Sequence, residues 1–383
     1  MKKKDIKLPK NMIIVCTVIA AILFLQQRLS ANQPTNIYSS QKLSLRPPFN
    51  ANRELTAKIT LGAVGDILIH PPVYQDAFNG VEYNFDPMFE KVKPLLKKPD
   101  ILTANQESTL GGVELGLSGY PLFNSPHQVA NALVDAGVDI VSTANNHALD
   151  KGEKGIYSES AYLDQLGLPH VGSYSNEIDR QKLRIMNKNG IRIAFIAYTY
   201  GTNGIPLPKG KEFLVNIIDK NTMKSEIARA KSNADVVVMS LHWGNEYERI
   251  PTNEQRDVAQ FLANEGVDII FGSHPHVLQP MEWIKTKDGR KTFVIYSLGN
   301  FISGQQGDYK DIGGLATIDI TKKITKKGCK IILSNPTFTP TYVTSQQNKS
   351  YRIVPLVKAR NYGLTSAKAK YDEIKHHMVK WLQ

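Results

Sequence analysis

The chain has 383 residues, 42% of them hydrophobic, with a formal net charge of +12 and two cysteines. That length and apolar content suit one large α/β domain or two smaller ones with a sizeable core, and exclude a disordered chain. The cysteines, Cys16 in an apolar stretch and Cys329 in a lysine-rich one, exclude a disulfide framework and a thiolate metal cluster.

Residues 1–30 read as a signal-anchor segment. Lys2, Lys3, Lys4, Lys7 and Lys10, opposed only by Asp5, precede a charge-free apolar stretch over residues 12–25, the layout of an n-region and an h-region. The stretch is shorter than the ~20 residues a spanning helix prefers, so a cleaved signal peptide is the alternative. Leu29-Ser30-Ala31 is a poor small-x-small cleavage site, which favours an uncleaved anchor with the lysines in the cytoplasm and the rest outside. Residues 31–55, rich in Asn, Gln, Ser and Pro, read as an extended linker.

From residue 56 onward, short apolar runs alternate with helix patterns. The runs at 59–64, 100–104, 139–143, 191–198, 236–241, 267–271 and 293–297 suit strands buried on both faces. Between them, Asp86-Pro87 predicts a helix start as N-cap and N1, with Phe89, Val92, Leu95 and Leu96 on one face. Ser125-Pro126 starts another helix, which Gly137 stops, and a third covers 253–265 and ends at Gly266. The βαβα order predicts an α/β fold. After Asn300 come strand-like pieces at 314–320, 330–333 and 337–343, then a peripheral helix over 366–382. The resulting organisation is one domain over 56–345 with a C-terminal extension, 346–383, packing on it.

In open α/β sheets, ligands collect where strands end at their carboxyl edge. Here nearly every strand ends in a polar handle: Gly65-Asp66, Asn105-Gln106-Glu107, Asn145-Asn146-His147, His242-Trp243-Gly244, Ser273-His274-Pro275-His276 and Leu298-Gly299-Asn300. Any one such Asp or His is more often a helix cap or a satisfied polar group; together they read as a metal site. Carboxylate, amide and imidazole donors without thiolate suit a divalent Mn, Fe or Zn.

Those motifs resemble the capsule-synthesis protein CapA family, also called PgsA, of the poly-γ-glutamate machinery. Val64-Gly65-Asp66-Ile67, Asn105-Gln106-Glu107, Ala144-Asn145-Asn146-His147-Ala148-Leu149-Asp150, His242-Trp243-Gly244 with Glu246, Gly272-Ser273-His274-Pro275-His276-Val277 and Tyr296-Ser297-Leu298-Gly299-Asn300-Phe301 carry the resemblance, over about residues 57–305. The family looks like a variant of the calcineurin-like metallophosphoesterases, which implies a metallo-dependent phosphatase-like fold, a four-layer αββα sandwich. Carried over, the resemblance implies that Asn146, His242 and His274 bind one metal, Asp66 and His276 the other, and Glu107 bridges them. His147 stands beside them as a general acid or transition-state donor.

One departure bears on the second metal: metallophosphoesterases usually carry a His two positions after the first Asp, and this chain has Leu68, which cannot ligate. His70 is the nearby candidate to compensate. Ser273 and Ala104 also differ from the family's usual His and Gly without removing a ligand. Glu246 reads either as a hydrogen-bond partner of a ligating imidazole or as a solvated loop carboxylate. Asp150 reads as a helix N-cap, Trp243 and Tyr247 as core packing or pocket walls, and His127, His170, His376 and His377 as surface or structural.

The expected role is synthesis, transport or anchoring of an anionic envelope polymer such as poly-γ-glutamate. The implied partners are that polymer or a phosphoester substrate, the membrane, and membrane-bound synthase subunits, with the lysines at 322–330 facing the polyanion. Nucleic acid is excluded as a partner, because the chain is read as exported and no nucleic-acid motif accompanies the lysines. The alternatives are a metal-dependent phosphatase or phosphodiesterase acting on an envelope phosphoester, and a non-catalytic scaffold of a membrane synthase complex.

Overall fold

The computed structural model describes residues 54–382. The signal-anchor reading of residues 1–30 and nearly all of the linker lie outside these residues. Among the described residues, no helix is long and apolar enough to cross a membrane.

The predicted alternation builds two sheets. The first has eight strands: β1 (Leu55–Leu68), β2 (Ile101–Gln106), β3 (Ile140–Ser142) and β4 (His170–Val171) run parallel on one side. The second has six: β5 (Arg184–Lys188), β6 (Ile191–Thr199), β7 (Val236–His242), β8 (Ile269–Ser273), β9 (Leu278–Lys285) and β10 (Lys291–Leu298), in the order β5-β6-β7-β8-β10-β9. The chain then returns to the first sheet through β11 (Asn300–Ser303), β12 (Ile312–Thr325), β13 (Gly328–Gln346) and β14 (Lys349–Pro355). The resulting order is β14-β13-β12-β1-β2-β3-β4, with β11 pairing β1.

The sheets pack face to face. Ile59, Leu61 and Ala63 of β1 share a buried cluster with Phe195 of β6, Val238 of β7, Phe271 of β8 and Ile295 of β10. Outside the first sheet, Val64, Leu102 and Val141 cover themselves with Val73, Phe89, Leu133 and Leu163 from its helices. Outside the second, Ile196, Met239 and Ile270 meet Met223, Ile227 and Leu262. Continuous apolar strands are what a sheet covered on both faces requires, and the layers are helix, sheet, sheet, helix: the expected αββα sandwich.

Local details depart from the sequence reading for identifiable reasons. The helix expected after Asp86-Pro87 is two single turns, Asp86–Phe89 and Lys93–Leu96, and the N-cap is Phe85. Pro94 lacks the N–H that would continue the first turn and crowds the carbonyl four residues back, yet Phe89, Val92 and Leu96 stay buried. The helix expected at Ser125-Pro126 begins later, as Gln128–Ala136, and ends at Gly137 with φ +102°. The two late strand pieces are one strand, β13, in which Asn335 (φ +52°) beside Pro336 makes an irregularity opposite the register shift between Thr317 and Asp319 rather than a break. Asn253–Glu265 has the predicted bounds, with a Thr252–Gln255 capping box at its start and Gly266 at its end.

Two glycines let the strand ends close together. A Cβ on Gly65 would lie 1.8 Å from the Gly299 carbonyl oxygen, and one on Gly272 would lie 1.9 Å from that of Tyr296. The first contact sits beside the hydrogen bond that Asp66 N donates to Gly299 O at 2.9 Å. A methyl at either place must push strands apart. Gly65→Ala is expected to cost about 2 kcal/mol or more, read as a lower urea midpoint at unchanged slope. Gly201→Ala, where an added Cβ meets nothing within 4 Å, is expected to stay within about 0.5 kcal/mol of wild type.

Candidate metal centre

The carboxyl ends of β1, β2, β7 and β8 meet where the sheets converge, and their terminal side chains come together. Metal-capable atoms of Asp66, Glu107 and His276 lie within 4.8 Å of one another, as do those of Glu107, His242 and His274. All five residues are buried. A third such group joins Glu246 to His274 and His276. Asn146 belongs to the same cluster through its Oδ1, 2.7 Å from His242 Nε2. All six residues predicted from sequence as ligands are therefore adjacent.

The cluster is held from outside. Asn105 Nδ2 donates to Asp66 Oδ1 at 2.8 Å, and Asn300 Oδ1 stands 3.1 Å from His276 Nδ1, whose other neighbour is Asp66 Oδ2 at 3.2 Å. Ser273 Oγ lies 3.0 Å from His242 Nδ1, leaving Nε2 to face Asn146 and, at 3.5 Å, Glu107 Oε1. Such outer contacts fix which imidazole nitrogen points inward. His274 and His276 take φ of +96° and +59°, a conformation that costs non-glycine residues on the order of 1–3 kcal/mol and collects at functional sites.

Glu107 tests whether a cation fits. It is fully buried, and among the described residues neither carboxylate oxygen finds a hydrogen-bond donor. Burial, and next the charge of Asp66, push its carboxyl well above the ordinary range. Burial, followed by the neighbouring imidazoles, holds His242 well below its usual value and His274 down to about 3, so both are neutral donors at pH 7. His274 Nδ1 is buried and without a partner. Neutral imidazoles around a carboxylate with no donor are a set that a divalent cation completes.

His147 lies beside the cluster, wedged edge-on against Phe123, on a cavity of about 220 Å³ that it lines with Leu68, His70, Glu246, Tyr247 and His276. Its Nδ1 is 2.7 Å from Asp150 Oδ2, which also accepts from Phe123 N at 2.6 Å. Asp150 is therefore not the helix N-cap expected from sequence: that place falls to Lys151, without a side-chain cap, because the carboxylate turns inward to orient the imidazole. His70 lines the cavity, but its Nδ1 accepts from Gly304 N at 3.2 Å and it joins none of the three ligand groups. Trp243 is buried, with Nε1 donating to Tyr296 O at 2.9 Å, whereas Tyr247 is half exposed at the pocket mouth.

Sequence reasoning missed the wall supplied by β6. Tyr200, just past its end, tilts over His274 at 4.8 Å between ring centroids, and Asn203 Oδ1 accepts from Asn146 Nδ2 at 3.2 Å. The signal was present, since the run at 191–198 also ends in a polar segment, Thr199-Tyr200-Gly201-Thr202-Asn203.

Two face-to-face sheets flanked by helices, with a buried carboxylate and imidazole cluster at their shared strand edge, define an α/β sandwich protein with a candidate divalent-metal site. The chain belongs to the bacterial capsule synthesis protein family PGA_cap, whose profile matches residues 60–305. It is 29% identical over 322 residues to the capsule biosynthesis protein CapA of Bacillus anthracis, covering 80% of this chain and 71% of that one. It is 30% identical over 230 residues to the PGA biosynthesis protein CapA of Bacillus subtilis (strain 168), covering 57% of each. Similar solved structures include the calcineurin-like phosphoesterase YfkN from Bacillus subtilis, with a TM-score of 0.47 at 15% identity over 82% of this chain and 99% of that one. A 5'-nucleotidase precursor from Thermus thermophilus gives 0.46 at 12% identity over 83% and 60%.

The electrostatics fix a pH response. In metal-free protein, folded Glu107 holds its proton more tightly than unfolded Glu107, so its contribution to stability falls as pH rises from the ordinary carboxylate range toward the raised folded value. Glu159, buried and pushed up to about 8, acts in the same direction. The melting temperature of chelator-treated protein is expected to fall from about pH 7 to about pH 8, the range over which the raised Glu159 carboxyl loses its proton. Excess Mn, which displaces the Glu107 proton, is expected to reverse the fall; Glu107→Gln is expected to abolish the Mn effect and keep the slope that Glu159 supplies. Separately, Asp150→Ala strips two buried donors of their acceptor and is expected to cost about 2–4 kcal/mol in urea unfolding.

Proposed function

We propose that this protein acts in the synthesis, transport or surface attachment of an anionic envelope polymer such as poly-γ-glutamate, and that its cluster holds a divalent cation, Mn, Fe or Zn, at which a phosphoester is hydrolysed. The observation that carries the metal is the buried Glu107 carboxylate, which accepts no hydrogen bond and faces His242 and His276 at 3.5 and 3.7 Å. Bound there, the cation would polarise a phosphoryl oxygen and make a water nucleophilic at neutral pH.

In this reading, Asn146, His242, His274 and Glu107 hold one cation, and Asp66, His276 and Glu107 a second. His147 is the catalytic acid. Asp150 accepts a hydrogen bond from its Nδ1–H, which leaves Nε2 to face the reaction, on a ring that lines the cavity beside the cluster. Phe123 and Asp150 hold that ring in place, and the surrounding burial excludes bulk water from it.

Support for a polyanionic partner comes from the other end of the strands, where a cavity of about 630 Å³ is lined by Arg290, Lys291 and Lys330 with Asp268 and Trp283. Around it, exposed Lys285, Lys287, Lys326 and Lys327 make no ion pair among the described residues. The domain would work outside the cell, held to the membrane by residues 1–30, near membrane-bound synthase subunits. Leu68 supports the rival reading of a scaffold with one structural metal.

The readings separate in one genetic and biochemical comparison. A strain lacking the gene is expected to lose surface polymer, and wild-type protein is expected to restore it. His147→Ala is expected to bind metal normally while losing at least ~100-fold in Mn-dependent phosphoester hydrolysis. Unchanged polymer on deletion would sink the polymer role; equal turnover, or none, in wild type and variant would sink the catalytic one.

A further inference from the structure

Leu68 leaves a gap in the cluster, and the loop after β7 faces it. Leu68 is buried on the cavity of about 220 Å³ next to the candidate metal centre, and among the described residues the single carboxylate lining that cavity is Glu246. A Glu246 oxygen lies within 4.8 Å of ligand nitrogens of His274 and His276. Two donors about 2.1 Å from one cation stand about 3.0–3.4 Å apart in tetrahedral or octahedral geometry, so a side chain on an exposed loop needs to move by about 1–2 Å to share a cation with either imidazole.

The loop is held for this. Gly244 and Tyr247 take φ of +84° and +66°, and Tyr247 N donates to Pro275 O, the residue between the two histidines, at 2.8 Å. That bond brings the residue before Tyr247 over His274 and His276. Charge argues the same way: Asp66 and Glu107 bring two negative charges against the four positive charges of two divalent ions, and a third carboxylate narrows the difference. His70 does not fill the gap, because it joins none of the ligand groups that bring Glu246, His274 and His276 together.

We propose that Glu246 is a ligand of the second cation, supplying from the β7 loop the donor that Leu68 cannot supply from the end of β1. The proposal rests on the metal reading above and adds to it the residue that makes the site dinuclear. It also removes the reason to read Leu68 as the mark of a scaffold.

Full-length protein stripped of metal would be titrated with Mn alone, following stoichiometry by calorimetry and spin coupling between adjacent Mn ions by electron paramagnetic resonance. Wild type is expected to take two Mn per chain with a coupled signal. Glu246→Gln is expected to keep one at unchanged affinity, to bind the second at least ~10-fold more weakly, and to lose the coupling. Leu68→His combined with Glu246→Gln is expected to regain two, and Glu248→Gln, on the same loop, to behave as wild type. Two coupled Mn in Glu246→Gln at wild-type affinity, or a single Mn in wild type, would overturn the inference and leave the metal reading standing. No Mn bound to wild type would overturn the metal reading itself.

Discussion

A fully buried carboxylate that accepts no hydrogen bond organises this structure. Moving an ion of that size out of water costs several kcal/mol even after relaxation, and Glu107 has Asp66 beside it with, among the described residues, no Lys or Arg in an ion pair with either. The same site also carries local strain, as two histidines in the left-handed region show. A cation resolves all of it together, because it replaces the missing donors, offsets the like charges and uses imidazoles that burial has already made neutral.

That requirement reaches into the core. Asp66, Glu107 and Asn146 come from the first sheet, and His242, His274 and His276 come from the second, so the geometry of the centre is the geometry of the sheet interface. The apolar contacts of Ile59, Leu61 and Ala63 with Phe195, Val238 and Phe271 therefore position the ligands as much as they stabilise the fold. Interiors packed to crystal density transmit displacements rather than absorb them. This is why Gly65 and Gly272, which set how closely strand ends approach, belong to the centre's construction.

Strands and the polar side chains that end them were legible in the sequence because both depend on short-range pattern: uninterrupted Val/Ile/Leu runs are what doubly covered strands need, and a side chain at a strand's end has its position fixed by the strand, whereas the αββα layering followed from the family resemblance. The helix at Asn253–Glu265 was legible because its cap box and terminal glycine act within one turn. Asp150 was misread for the opposite reason. Its residue type and the glycine after Lys151 suit a cap, and nothing local reveals that Phe123 N, 27 positions away in the chain, and His147 offer it better donors. Glu246 stayed ambiguous on the same grounds: whether a loop carboxylate is solvated or a ligand depends on the Tyr247–Pro275 contact, which joins two different strand exits.

The two chemical ends of the molecule lie far apart. β1 runs for 14 residues from Leu55, beside the lysine-bearing turn between β12 and β13, to Leu68 at the metal centre. At about 3.3 Å per residue this is a separation of roughly 40 Å. A small phosphoester that reaches the imidazoles cannot touch Lys326, Lys327 or Lys330, so those lysines add nothing to its binding beyond a field that salt screens within about 10 Å. An extended polyanion is different, because one chain long enough to span the domain meets both ends, and each contact raises the effective concentration of the other. Under the proposed function, a polymeric partner would use the basic end and the candidate metal centre together, whereas for a small substrate the basic end needs a separate explanation, such as an anionic membrane surface.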